Sequence, residues 1–240
     1  MGTVVTVDLY LDDRPVDVDR LVERARHRLV GADEVFSTWR ADSPVSRLRR
    51  GEIGLGDVPA EVIEVLDRCA EARHLSDGWF DPWALPGGVD PTGYVKGWAA
   101  QRALGAVASP GVVGAVVNAA GDIASAGGPG GGRPFRFGII DPSSPGRLAA
   151  VVEPPGALAT SGTYERGAHL IDPFTGTPTS RTASASVTGP DLGLADALAT
   201  AVAVAGSDGL DLVAAVDGYE ALVIGTDGTT RATVGFPFAR

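Results

Sequence analysis

The stretch 95-VKGWAAQRALGAVASPGVVGAVVNAAGDIASAGG-128 changes from one secondary-structure pattern to another. Its first part, residues 95–107, places apolar side chains at helical spacing. Its second part, from Gly111 onward, is a valine-rich run that ends in turn residues, which is typical of a buried strand. A helix that leads directly into a buried strand predicts a fold in which helices and a sheet share one core.

Helical and strand patterns also follow one another irregularly on both sides of this stretch. Helices are predicted over residues 16–38, 58–75 and 194–206. Strands are predicted over residues 1–13, after a flexible loop within 127–142, over 148–160 and over 182–188, with a hairpin over 220–236 about Asp227-Gly228. Since a strict alternation of strand, helix and strand is missing, the predicted class is α+β, with mixed sheets and packed helices.

The overall composition limits the classes of partner. The chain has 240 residues, of which 44% are hydrophobic, and a formal net charge of −10. This length suits one large domain or two closely packed lobes. A nucleic acid or an anionic membrane is an unfavourable partner, because such partners require a basic surface. The chain starts in a strand pattern and not in a leader or lipid-accepting cysteine, so we expect a cytoplasmic protein without a membrane anchor.

One cysteine, Cys69, excludes an intrachain disulfide and a cysteine-cluster metal site. It lies in the predicted helix 58–75, whose pattern is amphipathic. We therefore expect a buried structural thiol.

A candidate catalytic group lies in 159-ATSGTYERGAHLIDPFTGTPTS-180, a predicted loop that holds His169. Histidine titrates near neutral pH and is suited to moving a proton. The nearby hydroxyls of Thr160 and Ser161 offer hydrogen bonds to a phosphate or a ribose. A lone histidine in a loop is also often structural or solvated, so both interpretations stay open from this segment alone.

A second candidate site combines two segments. Asp196 and Thr200 stand four residues apart in an apolar helix, so their side chains share one face. They are either oxygen ligands for a hard cation such as Mg²⁺, or Asp196 simply caps the helix. In 90-DPTGYVKGWAAQ-101, the Gly93 carbonyl could add a metal oxygen, and Lys96 at a helix start could meet a phosphate or a ring carbonyl.

Taken in order, six motifs resemble the FAD:protein FMN transferases, the ApbE-like family. The motifs cover nearly the whole chain and are 36-FSTWRADSPVSRL-48, 78-GWFDPWALPGG-88, 90-DPTGYVKGWAAQRA-103, 117-VNAAGDIASAGG-128, 159-ATSGTYERGAHLIDPFTGTP-178 and 195-ADALATAVAVAG-206. The resemblance implies a two-lobed, T-fold-like single domain over residues 1–240. It also implies Mg²⁺-dependent cleavage of FAD, with FMN attached to a threonine of a target protein and AMP released.

The same resemblance implies roles for individual residues. His169 would take the proton of the incoming threonine, and the metal ligands would be Gly93, Asp196 and Thr200. The residues implied to contact or surround the flavin nucleotide are Trp39, Phe80, Asp81, Pro82, Asp90, Lys96, Thr160, Ser161 and Gly162. Mn²⁺ could replace Mg²⁺ at such an oxygen site.

Some features depart from the family pattern. Ala120 stands where a second glycine is usual, and Gly193 stands near the position of a further acidic ligand, which Asp191 could replace.

The predicted site residues would also serve an FAD pyrophosphatase, in which water replaces the threonine. A flavin-binding protein without activity is the third interpretation. The tail 227-DGTTRAT-233 resembles the acceptor motif, which raises self-modification of Thr233 as a hypothesis against an ordinary hairpin.

Overall fold

The computed structural model describes residues 3–144, 146–162 and 170–240. The α-helices are α1 (Val18–Phe36), α2 (Pro44–Arg49), α3 (Ala60–Leu75), α4 (Thr92–Ala106), α5 (Leu192–Ala205) and α6 (Gly209–Ala214). The strands are β1 (Val5–Leu11), β2 (Val112–Ala119), β3 (Asp122–Gly127), β4 (Phe137–Ile140), β5 (Leu148–Val152), β6 (Ala157–Gly162), β7 (Ile171–Asp172), β8 (Thr177–Pro178), β9 (Thr182–Gly189), β10 (Glu220–Gly225) and β11 (Thr230–Ala232). Short 3₁₀ helices occupy Leu55–Asp57 and Gly206–Asp208.

A seven-stranded antiparallel sheet forms the centre of the fold. Its strand order is β1-β2-β3-β6-β9-β10-β11. Two smaller two-stranded ladders, β4-β5 and β7-β8, lie outside it. The α+β class with mixed sheets and packed helices is therefore confirmed, and the connections between neighbouring antiparallel strands explain why no regular alternation of strand and helix occurs.

Alternate residues of the sheet face two different cores, as expected for a pleated strand. In β2, Val117 packs with the helices, whereas Val116 packs on the opposite face with Phe135 and Phe236. The helical face is rich in alanine, and α5 lies against it with its own alanines. Small side chains on both surfaces allow the helix to approach the sheet closely.

The boundaries of α5 follow from its two end residues. Asp191 is the N-cap, because its carboxylate accepts a hydrogen bond from the Leu194 amide at 2.8 Å. Gly206 ends the helix with a φ of 82°, a conformation that favours glycine. The capping role considered for Asp196 therefore belongs to Asp191, and Asp196 lies one turn inside the helix.

Two predicted strands are each divided in the structure. Residues 111–128 form the hairpin β2-β3, because Ala120 and Gly121 both have positive φ, 53° and 94°, and make a tight two-residue turn. Residues 148–160 contain β5 and β6, separated by a loop that includes Pro154, Pro155 and Gly156. The prediction of one continuous strand is therefore wrong in both places, because a turn or a loop interrupts the strand at these residues.

Ala120→Gly is expected to raise the free energy of unfolding by about 1 kcal/mol, because an alanine at positive φ is strained where glycine is not. Ala120 is exposed, so no packing is lost by the substitution. Urea unfolding of the two proteins measures the change. An unchanged or lower midpoint would contradict the assignment of strain to this turn.

The structure shows how deeply Cys69 and the most apolar helical stretch are buried. Cys69 is fully buried, and burial raises the pKa of its thiol, so the structural interpretation is confirmed. Within the described residues, the helical stretch Leu192–Ala214 has the length and apolar composition of a membrane span. Most of it is buried inside the protein, as in the core helix of a globular fold, so its composition is weak evidence for a span.

Candidate functional site

A cavity of about 490 Å³ lies between the ends of α1, α4, α5 and β6 and the segment around Phe80. Ten of the residues predicted for the site line it: Trp39, Phe80, Asp81, Pro82, Asp90, Gly93, Lys96, Ser161, Asp196 and Thr200. The structure thus brings together residues that are far apart in the sequence.

Asp196 lies at the floor of this cavity and is almost fully buried, with 2% of its surface exposed. Its Oδ2 accepts a hydrogen bond from the Gly97 amide at 3.1 Å, which joins α5 to α4. The helices approach so closely here that a Cβ atom at Gly97 would lie 2.7 Å from the carbonyl carbon of Leu192. Glycine at position 97 therefore permits the contact that holds Asp196 in place.

The environment of Asp196 disfavours its charged form. Burial, and next the negative charge of Asp122, raise the pKa of Asp196 to about 8, while Lys96 and the Gly97 amide act in the opposite direction. A carboxyl group held in this way becomes easier to ionise when a further cation is added beside it.

Thr200 lies one turn after Asp196 and also faces the cavity. Its Oγ1 is 3.1 Å from the Ser161 Oγ of β6 in a hydrogen bond. Gly93, at the start of α4, is the third member of this group, since a Cβ atom built on it would be 3.7 Å from the Thr200 Oγ1. The three predicted metal ligands are thus neighbours, with the Ser161 hydroxyl beside them.

Lys96 extends from α4 to two carboxylates. Its Nζ forms an ion pair with the Asp122 Oδ2 and lies 3.9 Å from the Asp196 Oδ1. Asp122 is fully buried at the start of β3, and its Oδ1 accepts a hydrogen bond from the Thr160 amide at 3.0 Å. One buried carboxylate therefore connects α4, β3 and β6 at the back of the cavity.

These donors suit a hard divalent cation. Among the residues that the structure describes, no group of three or more His, Cys, Asp and Glu side chains is placed to hold a metal ion, so a cation here would depend on other oxygen donors as well. The neighbouring donors are a carboxylate and hydroxyls, with the backbone of Gly93 alongside. Mg²⁺ and Mn²⁺ prefer such oxygen ligands and complete their coordination with water or substrate phosphate.

The mouth of the cavity carries Trp39, whose side chain is 95% exposed. It lies in the loop between α1 and α2, and α2 was not predicted. Ser43 caps α2, and the hydroxyls of Ser43 and Ser46 both donate to the Ser37 carbonyl, at 2.6 and 3.0 Å. This network fixes the backbone next to Trp39 and leaves its ring available to stack on a planar group.

In this structure the carboxylates of Asp90 and Asp81 bind other residues of the protein. Asp90 accepts hydrogen bonds from the amide and the hydroxyl of Thr92, at 3.1 and 2.6 Å, and pairs with Arg49 at 3.0 Å. Asp81 pairs with Arg73 at 2.6 Å and accepts a hydrogen bond from the Trp83 amide. Both carboxylates thereby shape the wall of the cavity, and their predicted contact with a flavin remains a prediction.

The other predicted residues differ in their placement. Thr160 and Gly162 belong to β6 beside Ser161 but are not among the residues that line the cavity. His169 lies outside the described residues. Asp191 caps α5 and is not among the residues that line the cavity, and its use in place of an acidic ligand stays a prediction. The Thr233 hydroxyl accepts a hydrogen bond from the Ala221 amide at 2.9 Å, as expected for the ordinary hairpin interpretation.

Two functional candidates were missed by the sequence reasoning. Arg49 pairs with Asp90 and also donates to the carbonyls of Val89 and Pro86, at 3.1 Å each, and so holds the segment before α4. Asp122 forms the buried ion pair with Lys96. Asp122 was part of a quoted motif, and an aspartate at the start of an otherwise apolar strand was a signal that it needs a buried partner.

The chain is similar in sequence to a known flavin transferase. The FAD:protein FMN transferase of Rhodobacter capsulatus is 39% identical over 155 residues, which are 60% of this chain and 29% of that relative. This chain therefore matches less than a third of the length of that relative.

Solved structures share the fold. The flavin transferase ApbE from Vibrio cholerae has a TM-score of 0.84 at 23% identity, over 97% of this chain and 94% of that one. The ApbE protein from Thermotoga maritima has a TM-score of 0.83 at 22% identity, over 98% of this chain and 94% of that one. The sequence model of the ApbE family matches residues 1–87 and 86–223. On this match, the chain belongs to the ApbE family.

Proposed function

We propose that this protein transfers FMN from FAD to a threonine hydroxyl of a target protein and releases AMP, with Mg²⁺ as the required metal. The observation that carries the proposal is the convergence of Asp196, Thr200 and Lys96 on the floor of one cavity that has aromatic rings along its sides. A flavin dinucleotide needs a polar floor for its anionic diphosphate and aromatic sides for its planar rings. The curated relative named FAD:protein FMN transferase supports the same reaction.

The proposed roles follow the chemistry of each group. Asp196 and Thr200 would bind the metal through side-chain oxygens, and Gly93 through its carbonyl. When bound there, Mg²⁺ would neutralise charge on the diphosphate. Trp39 would stack on a ring, and Lys96 would carry positive charge toward the nucleotide. We also propose that residues 1–240 act as one domain, since α4 and α5 pack against the sheet and also share a second apolar cluster with α1 and α3.

The proposed reaction is a phosphoryl substitution. The threonine Oγ forms a bond to the phosphorus of the FMN half of FAD, and the bond from that phosphorus to the bridging oxygen of AMP breaks. AMP leaves with the bridging oxygen. The proton of the threonine hydroxyl passes to His169, which acts as the general base. The walls around Asp81 and Asp90 would restrict water, the competing nucleophile, while the acceptor is bound.

The direct test incubates the protein with FAD, Mg²⁺ and a peptide bearing the pattern Asp-Gly-x-Thr-Gly-Ala-Thr. A gain of one FMN in peptide mass with release of AMP is the expected result. AMP and free FMN without peptide modification would show a pyrophosphatase, and neither product would indicate a flavin-binding protein. A parallel reaction with EDTA tests the metal requirement, because the proposal requires that chelation stops product formation.

His169→Ala is expected to keep FAD binding and to lower the transfer rate by at least about a hundredfold, the usual contribution of a general base. Flavin fluorescence measures binding, and peptide mass measures transfer. His74→Ala is the matched control, because His74 is exposed on α3 and does not line the cavity. Normal transfer by the His169 variant would remove His169 from the proposed role.

A further inference from the structure

The ion pair behind the proposed metal site has an unusual arrangement of charge. Two carboxylates, those of Asp122 and Asp196, are almost fully buried, whereas the Lys96 side chain is 28% exposed and reaches both of them. These three side chains carry a formal charge of −1 when all are ionised. Buried charges need partners, and among the described residues Lys96 is the cation that reaches both of these carboxylates.

The two contacts of Lys96 differ in strength. Its Nζ is in direct contact with the Asp122 Oδ2 but stands 3.9 Å from the Asp196 Oδ1. Asp122 is held in place by the Thr160 amide, and Asp196 by the Gly97 amide. Lys96 is therefore anchored on Asp122 and remains within reach of Asp196, which is the group proposed to bind the metal.

We infer that Lys96 is a resident counter-ion that competes with a divalent cation for Asp196, and that Asp122 is the positioning residue that holds Lys96 back from it. This inference deepens the proposed metal site and rests on it. Positive charge at Lys96 repels a divalent cation bound at Asp196, whereas negative charge at Asp122 attracts it. The two residues thus tune metal affinity in opposite directions without being ligands.

Substitutions of Lys96 and Asp122 are expected to change metal affinity in opposite directions. This distinguishes the proposed electrostatic role from a merely structural one, in which both substitutions would weaken binding. Lys96→Gln is expected to tighten Mg²⁺ and Mn²⁺ binding by about tenfold or more, because a competing cation is removed from a buried site. Asp122→Asn keeps the shape of the side chain and is expected to weaken binding by a similar factor. The double variant restores the balance of charge and should bind within about threefold of the parent.

The experiment measures binding directly in the metal-free full chain. Isothermal titration with Mg²⁺ and the electron paramagnetic resonance signal of free Mn²⁺ report affinity without any turnover. Thermal unfolding with and without Mg²⁺ gives a second readout, since a ligand that binds the native state raises the melting temperature. The Mg²⁺-induced rise should be larger in Lys96→Gln than in the parent, and smaller in Asp122→Asn.

Each outcome has a defined meaning. Tighter binding by Lys96→Gln and weaker binding by Asp122→Asn supports the inference. Weaker binding by both single variants would show a merely structural role and overturn it. If Lys96→Gln does not fold, the Asp122→Asn and double variants test the inference. Recovery of metal affinity in the double variant requires that the charges of Lys96 and Asp122 act in opposite directions. Absence of metal binding in the parent and in all variants would overturn the proposed metal site as well. Failure of the metal site is thereby distinguished from failure of the counter-ion role alone, in which the parent still binds metal.

Discussion

Asp196→Asn is expected to reduce metal-dependent FMN transfer by at least about a thousandfold, because it removes the one carboxylate among the proposed ligands of a cation that relies on charge neutralisation. The same substitution should leave the fold intact. An asparagine carbonyl oxygen can still accept the hydrogen bond from the Gly97 amide, and the Lys96–Asp122 pair is untouched. Peptide mass and urea unfolding measure the two effects. Asp67→Asn, at an exposed position of α3, is the control for loss of one negative charge.

The stability of the Asp196→Asn variant should also depend on pH in a defined direction. The pKa of Asp196 in the folded protein is raised to about 8, whereas an aspartate in an unfolded chain has a pKa of about 4. Between these values the folded state binds the extra proton, so the contribution of Asp196 to the free energy of unfolding of the metal-free wild type falls as pH rises. The variant lacks this contribution. Its stability relative to wild type should therefore increase from pH 5 to pH 8, and a constant difference would contradict the raised pKa.

Gly97→Ala is expected to lower the free energy of unfolding by about 3 kcal/mol, at the upper end of the cost of overpacking a core. The added methyl group would overlap the Leu192 carbonyl, which is backbone and cannot rotate away as a side chain can. Relief requires α4 and α5 to separate, which also moves Asp196. Urea unfolding and metal binding should therefore both show a loss.

The matched control for that substitution lies on the same helix. Gly105→Ala places a methyl group where no atom lies within 4 Å, so it should raise stability by about 0.5–1 kcal/mol through helix propensity alone. A loss of stability at Gly97 and a gain at Gly105 would establish the close approach of α4 and α5 as the cause of the loss. Equal effects would show that helix propensity, and not contact between α4 and α5, determines the result.

Periodic patterns predicted much of the fold. The helices over residues 16–38, 58–75 and 194–206 and the final hairpin agree with α1, α3, α5 and β10-β11. Patterns failed where the chain reverses without a change in polarity, as at Ala120-Gly121 between two apolar strands. The six-residue helix α2 was missed because it is too short to show a period. Strand order in the sheet depends on long-range pairing, which local patterns do not contain.

The candidate site was predicted mainly through family motifs, and the structure added the partners. Spacing alone left Asp196 undecided between a cap and a ligand, because both uses place it near a helix start. The cap at Asp191 excludes the capping role for Asp196, and its role as a metal ligand stays a prediction. The contact of Lys96 with Asp122 joins residues that are distant in sequence, so a single sequence contains no direct signal for it.

The parts of the cavity differ in how they are built. Asp196, Thr200 and Ser161 stand on α5 and β6, whereas Trp39 and the segment around Asp81 belong to connections between helices. Connecting segments tolerate insertions and exchanges that helices packed on a sheet do not. Exchanging the two connections for those of a related protein is therefore expected to alter which molecules the cavity admits and to leave Asp196, Thr200 and Ser161 in position. Under the proposed function, the choice of substrate would then depend on exchangeable connections, whereas metal binding would depend on a helix and a strand that stay fixed.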